Sequence, residues 1–216
     1  MQTVKTGREK QIVYAHEYRR LKKAISEQFY LEAISICYAM IEDRLVAFLH
    51  HAGIVSRQND NLVINQSIAP FIRKMLDMQN GNPIRIKDIS VKIVIIQKLL
   101  SLSEEKATEI DNEMKDCADT KRKRFLAQKG YLTALQKQME NTVDVITVQN
   151  VLSKLDPWRS ERNQLIHALL SKTVSSSNEA QKSCAETGKE LSRLLDDKLV
   201  KPFKSNNRIR KQFNIQ

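Results

Sequence analysis

Ile34, Cys37, Ile41, Leu45 and Phe48 recur at steps of three and four, which puts all five on one stripe of a single helix. Such a stripe has to be buried against other helices, so it commits the chain to helical packing. The stretch stops at His51-Ala52-Gly53, where Gly53 can take the left-handed conformation that closes a helix. Glu32, Glu42, Asp43 and Arg44 interrupt the apolar run from Leu31 to Leu49, so it is no membrane span. Only 5 glycines and 4 prolines in 216 residues leave few turns for a β architecture. The expected fold class is all-α.

Other segments add to this frame. Residues 9–26 are rich in helix formers, with Ile12, Tyr14, Tyr18, Leu21 and Ile25 at near-helical spacing. Gly53 to Gln66 is polar and is expected to be a loop. Pro70 opens a short helix through Met78, and Asn80-Gly81-Asn82-Pro83 is a break. In 84–102, Val91 to Ile96 is β-branched enough for a short strand, but the length and Leu99-Leu100 favour a helix. Ser103-Glu104-Glu105-Lys106 starts a polar helix or helix pair that reaches about Asn141 and hinges at Gly130. A short helix is expected over 145–155. Asp156 then caps a new helix to about Leu170, with Pro157 in its first position, where a missing N–H costs nothing. Val174 to Ser177 reads as a loop, and Asn178 caps a final helix that Pro202 ends. A single domain over 1–202 follows, with its core roughly at 9–52 and 147–199 and a helical insertion roughly at 54–145. Residues 203–216 are expected to be a basic flexible tail.

Lys and Arg number 36 against 25 Asp and Glu, a formal charge of +11, and the excess is concentrated. No acid lies between Lys121 and Lys137, a stretch that also holds Arg122, Lys123, Arg124 and Lys129. Lys198, Lys201, Lys204, Arg208, Arg210 and Lys211 form a second basic run. Such surfaces suit a polyanion, and equally a soluble, self-repelling helical face. Cys37, Cys117 and Cys184 lack metal-ligand spacing and read as reduced thiols. With no secretory segment at Met1, the expected location is cytoplasmic.

One cluster carries chemistry: Arg162-Asn163-Gln164-Leu165-Ile166-His167. On a wheel of about 100° per residue, Trp158, Leu165 and Leu169 form a core face. Arg159, Asn163 and His167 form the ridge beside it, and Arg162 lies between the two. A guanidinium is a planar donor array for phosphate oxygens, and an imidazole can take or give a proton near neutral pH. Asn163 can orient either group. The set is competent for phosphoryl chemistry without a metal. Arg159 is a further candidate for phosphate contact, or a surface arginine. Glu42 and Asp43 can hold Arg162 or Arg159, or form a surface pair beside Arg44. His50-His51 lacks further ligands at suitable spacing, so no metal site is expected.

Arg162-Asn163 followed by His167, on the closing helix of an all-helical domain, resembles the signature of the HEPN superfamily (higher eukaryotes and prokaryotes nucleotide-binding). Ala33-Ile34 followed by Ile41-Glu42-Asp43-Arg44-Leu45 is similar to that family's early helix with its acidic pair. The resemblance covers about 9–52 and 147–199 and leaves out the middle segment and the tail. It implies a HEPN-like helical bundle with an elaborated helical middle, and a metal-independent endoribonuclease that needs no cofactor. In that chemistry the RNA 2′-hydroxyl attacks the adjacent phosphate, giving a 2′,3′-cyclic phosphate. His167 would be the general acid or base, Arg162 would neutralise the phosphorane, and Asn163 would position one or the other.

Family sites form where two such helices meet on a two-fold axis, so the resemblance implies a homodimer with one half-site per chain. It also implies a toxin or antiviral defence effector, restrained by an antitoxin or another neutralising partner. The basic runs would then attract RNA through counterion release. The alternative is a non-catalytic helical module that binds RNA or a partner.

Overall fold

The computed structural model describes residues 7–58, 61–77, 86–117, 129–171, 178–205 and 209–213. The all-α expectation is borne out: a two-stranded hairpin is the exception among helices in these residues. Two compact units divide the chain: Met1–Ile41 with Lys154–Arg193, and Glu42–Ser153 with Leu194–Gln216. The sequence reading of one domain over 1–202, with its core roughly at 9–52 and 147–199 and an insertion roughly at 54–145, placed its boundaries at other residues. The divisions fall inside helices, where no turn residue marks them, whereas the visible turn signals at Gly53 and Asp156-Pro157 lie elsewhere.

The first unit holds α1 (Gly7–Ser26) and the opening of α2 (Tyr30–His51). The stripe that defines α2 is borne out in full, since Ile34, Cys37, Ile41, Leu45 and Phe48 are all at 0% exposure. In α1 the buried residues among those described are Leu21 and Ala24 in the last turns, while Ile12 is 61% exposed. The α1–α2 turn closes with Phe29 N–H on Ala24 O (2.8 Å) and Gln28 N–H on Ile25 O (3.2 Å). That pairing requires a left-handed residue, which is Gln28 at φ 64°. Arg20 Nη2 bonds Glu32 Oε1 at 2.7 Å across the turn.

The unit is completed by parts of two further helices. α7 (Val145–Ser171) is continuous, with Pro157 inside it, and α8 runs Asn178–Leu195. The expected start at Asp156 is therefore corrected. Asp144 caps α7 instead: its Oδ1 accepts from Thr147 N–H (3.1 Å) and its Oδ2 from Thr147 Oγ1 (2.7 Å). Those bonds hold the Asp144 carboxyl below its usual range. A proline in a helix interior costs about 3 kcal/mol. Here Val148, Val151, Leu152, Leu155 and Trp158 stay in phase across it and are all buried. Pro157 and Ser153, whose carbonyl loses its donor to the proline, are both exposed residues.

Cys37 and Cys184 are free and fully buried in the same unit. Burial, then the neighbouring Cys184, pushes the Cys37 thiol up to about 12. Burial, then Glu161, does the same to Cys184, again to about 12. A folded pKa above the unfolded one gives a stability contribution that is intact below the unfolded value, about 9, and lost as pH rises toward 12. Two results are expected. Neither thiol reacts with Ellman's reagent at pH 8 until the protein unfolds, and urea midpoints fall above about pH 9 less steeply in a Cys37→Ala, Cys184→Ala variant than in the wild type.

The second unit contains the hairpin, β1 (Val55–Gln58) paired antiparallel with β2 (Asn61–Ile64), Val55 opposite Ile64. This corrects the expected loop at Gly53–Gln66. Gly53, at φ 80°, closes α2 as expected, with Ile54 N–H on Leu49 O at 2.9 Å. Ile54 and Val55 are then buried and start the strand. Three helices follow: α3 (Ala69–Met75), α4 (Ile89–Leu100) and α5 (Glu104–Cys117). The ambiguous run Val91–Ile96 is thus helical. The expected break at 80–83 lies outside the described residues.

α6 (Tyr131–Thr142) begins at Gly130, φ 65°, which has no side chain to cap it. Asp111 of α5 supplies the cap, accepting from Leu132 N–H (3.2 Å), Thr133 N–H (3.0 Å) and Thr133 Oγ1 (3.0 Å). Tyr131 is fully buried against Phe71 and Phe213, and its hydroxyl donates to Ala52 O at 2.7 Å.

The C-terminal residues correct two expectations. α8 does not end at Pro202: it passes through a π turn, Asp196–Val200, into α9 (Lys201–Ser205). Lys201 N–H reaches back to Asp196 O, five residues earlier, as the π turn requires. The expected flexible tail at 203–216 contains the end of α9 and all of α10 (Ile209–Gln212) in its described part. Phe203, Ile209 and Phe213 are 0%, 1% and 2% exposed, so apolar burial outweighs the basic composition.

Candidate functional site

The candidate residues Arg159, Arg162, Asn163 and His167 all lie on α7 in the first unit. Their spacing sets their order on the helix: His167 is one turn beyond Asn163 and exposed, while Arg162 and Asn163 are half-buried. The tilt of Cα–Cβ bonds toward a helix N-terminus leans an imidazole at 167 back over position 163.

Arg162 is the best-defined group. Its Nη1 donates to Asn163 Oδ1 at 2.8 Å. Its guanidinium carbon lies 4.4 Å from the centroid of the Tyr38 ring, so the cation rests on an aromatic face. Tyr38 in turn stacks on Trp158, centroids 6.5 Å apart and planes 24° from parallel. Trp158 Nε1–H donates to Cys184 O at 2.8 Å, and the ring is 2% exposed, which bears out its reading as a core anchor. Arg162 Nε is buried and finds no acceptor among the described residues.

The remaining candidates have other partners. Arg159 Nε bonds Asp156 Oδ1 at 3.2 Å, a pair one turn apart at the surface. Glu42, expected to hold Arg162 or Arg159, accepts instead from Lys92 Nζ at 2.7 Å. Lys92 is 2% exposed and also donates to Lys87 O, so the pair compensates a buried ammonium. Asp43 is half-buried on the same turn of α2. Arg44 pairs with Asp196 at 3.0 Å. Leu169, expected on the core face of α7, has a side chain outside the described ones.

Tyr38 is the residue that sequence reasoning missed. Its signal is present but easily misread, because it sits beside Cys37 at the edge of the buried α2 stripe and passes for one more core aromatic.

Of the basic run at 121–137, Lys121 to Arg124 lie outside the described residues. Lys129 and Lys137 line an open cavity of about 320 Å³ in the second unit, with Lys115, Thr108 and Asn112. Lys137 is paired with Glu104 at 3.2 Å, and the Asp111 carboxylate in the wall is committed to the α6 cap. Among the described residues, no group of three or more His, Cys, Asp or Glu is placed to hold a metal ion, and no helix is long and apolar enough to cross a membrane.

Comparison with protein-family models, with curated proteins and with solved structures finds no match to this chain.

Proposed function

We propose that the chain is a metal-independent endoribonuclease of the HEPN type, cleaving RNA by attack of the 2′-hydroxyl. The observation that carries this reading is the Arg162 guanidinium laid on Tyr38 and bonded to Asn163, with an exposed imidazole one turn further along the same helix. In the proposed step the 2′-oxygen bonds to phosphorus as its proton passes to a base. The bond from phosphorus to the 5′-oxygen breaks, and that oxygen takes a proton from an acid. Charge builds on the non-bridging oxygens, where Arg162 would act. In an in-line displacement the attacking 2′-oxygen and the leaving 5′-oxygen lie on opposite sides of phosphorus, out of reach of one imidazole at the same moment, so the proposal includes a homodimer that brings two copies of His167 together. A role as toxin or defence effector, restrained by a neutralising partner, rests on the motif resemblance alone.

The test is incubation with RNA in excess EDTA. Cleavage that persists and leaves 2′,3′-cyclic phosphate ends supports the reading. Loss of cleavage in EDTA, or 3′-hydroxyl ends, sinks it, and a monomer by light scattering at micromolar concentration sinks the composite site.

A second reading, a non-catalytic RNA- or partner-binding module, is favoured by one detail. Arg162 spends one donor on its own neighbour and buries another, as a structural arginine would. RNA binding without cleavage would select it.

A further inference from the structure

We infer that Tyr38 is a positioning residue for the Arg162 guanidinium, holding its plane so that its edge can meet a phosphate oxygen. This rests on reading Arg162 as a phosphate-binding group.

An arginine aimed at a phosphate has to be fixed in place without losing its charge. A carboxylate partner would fix it through the same in-plane N–H groups that a phosphate needs, and would cancel its charge. An aromatic face fixes it from above the plane and leaves charge and edge intact. Tyr38 does the second, at 4.4 Å from the guanidinium carbon. Of the two acids that sequence reasoning offered for this task, Glu42 and Asp43, Glu42 is occupied by Lys92.

The platform is itself fixed from behind. Trp158 backs Tyr38, and Trp158 is held by its bond to Cys184 O. Beneath it, Gly188 leaves no room to retreat: a Cβ there would sit 2.6 Å from Trp158 Cζ2. A backbone position on α8 therefore sets the height of the tryptophan, the tryptophan sets the tyrosine, and the tyrosine sets the guanidinium. Asn163 Oδ1, on Nη1, removes the remaining freedom to rotate within the plane. The buried, unpaired Nε indicates that this placement costs free energy, which the stacking helps to offset.

The test is a double-mutant cycle on affinity for a 2′-O-methyl oligoribonucleotide, which can bind but cannot be cleaved. The variants are Tyr38→Phe, Tyr38→Leu, Arg162→Ala and the Tyr38→Leu, Arg162→Ala double. Tyr38→Phe keeps the face and is expected to bind like the wild type. Tyr38→Leu is expected to lose about 3- to 30-fold. It should add nothing once Arg162 is alanine, since a residue acting through Arg162 has no effect without it. Additive losses would mean a merely structural role and would overturn the inference. So would Tyr38→Leu binding like the wild type, or Tyr38→Phe failing as badly as Tyr38→Leu. Cleavage of unmodified RNA by the wild type is scored separately: its absence removes the ribonuclease reading and leaves the cycle to decide Tyr38.

Discussion

Gly188→Ala is expected to destabilise the protein by about 1–3 kcal/mol, lowering its melting temperature by several degrees. Normally this exchange helps a helix, by up to about 1 kcal/mol. Here the added Cβ would lie 2.6 Å from Trp158 Cζ2, 2.9 Å from Cys37 Cβ and 3.0 Å from Trp158 Cε2. None of the three neighbours yields easily. Trp158 is tied to Cys184 O and backed by Tyr38, and Cys37 lies on the fully buried stripe of α2 with its Sγ on Ala185 O at 3.6 Å. Relief would require α8 to move away from α2 and α7 within the first unit. A melting temperature at or above that of the wild type would show that the contact is not tight. Because Trp158 backs Tyr38, the same substitution should also weaken oligoribonucleotide binding.

His167→Ala is expected to leave the fold untouched and to slow RNA cleavage by about 10²–10⁴. Both halves follow from its place on α7. The imidazole is exposed, so its removal opens no cavity, and a surface substitution of this kind usually shifts stability by less than about 0.5 kcal/mol. It is also the imidazole that the proposed site depends on, one in each chain. Arg162→Ala should lose about 10²–10³ by removing charge stabilisation at the phosphate, and unlike His167→Ala it should also lower affinity. Equal cleavage by wild type and His167→Ala, at matched melting temperatures, would end the catalytic assignment.

The sequence carried the helices well and their interruptions poorly. The α2 stripe, Gly53 and the buried Trp158 were legible because each follows from local period or local backbone chemistry. Pro157 misled: proline opens helices more often than it sits inside them. Nothing local says that the stripe from Val148 to Trp158 will hold its phase across it. The tail was judged by its charges, while Phe203, Ile209 and Phe213, too sparse to set a period, decided its burial. At the candidate site the motif residues were legible as a pattern. Their support was not, because Tyr38 meets Arg162 only when two helices distant in sequence pack together. Glu42 was assigned to an arginine by its sign alone, and Lys92, a lysine buried in α4, took it instead.

Burial of Phe203 and Phe213 has a consequence on the clock of synthesis. Phe48 and Tyr131 of the second unit are made well before the aromatic rings that cover them, Phe203 and Phe213. Ser153 ends the first stretch of that unit, and about sixty residues follow before Phe213 is joined. At about 5–20 residues per second, a nascent chain would carry an unsealed apolar core for roughly 3–12 s. Residues of the first unit are completed within that same interval. During it, half-made chains on one message are the aggregation hazard, and slow codons after position 153 would lengthen the exposure.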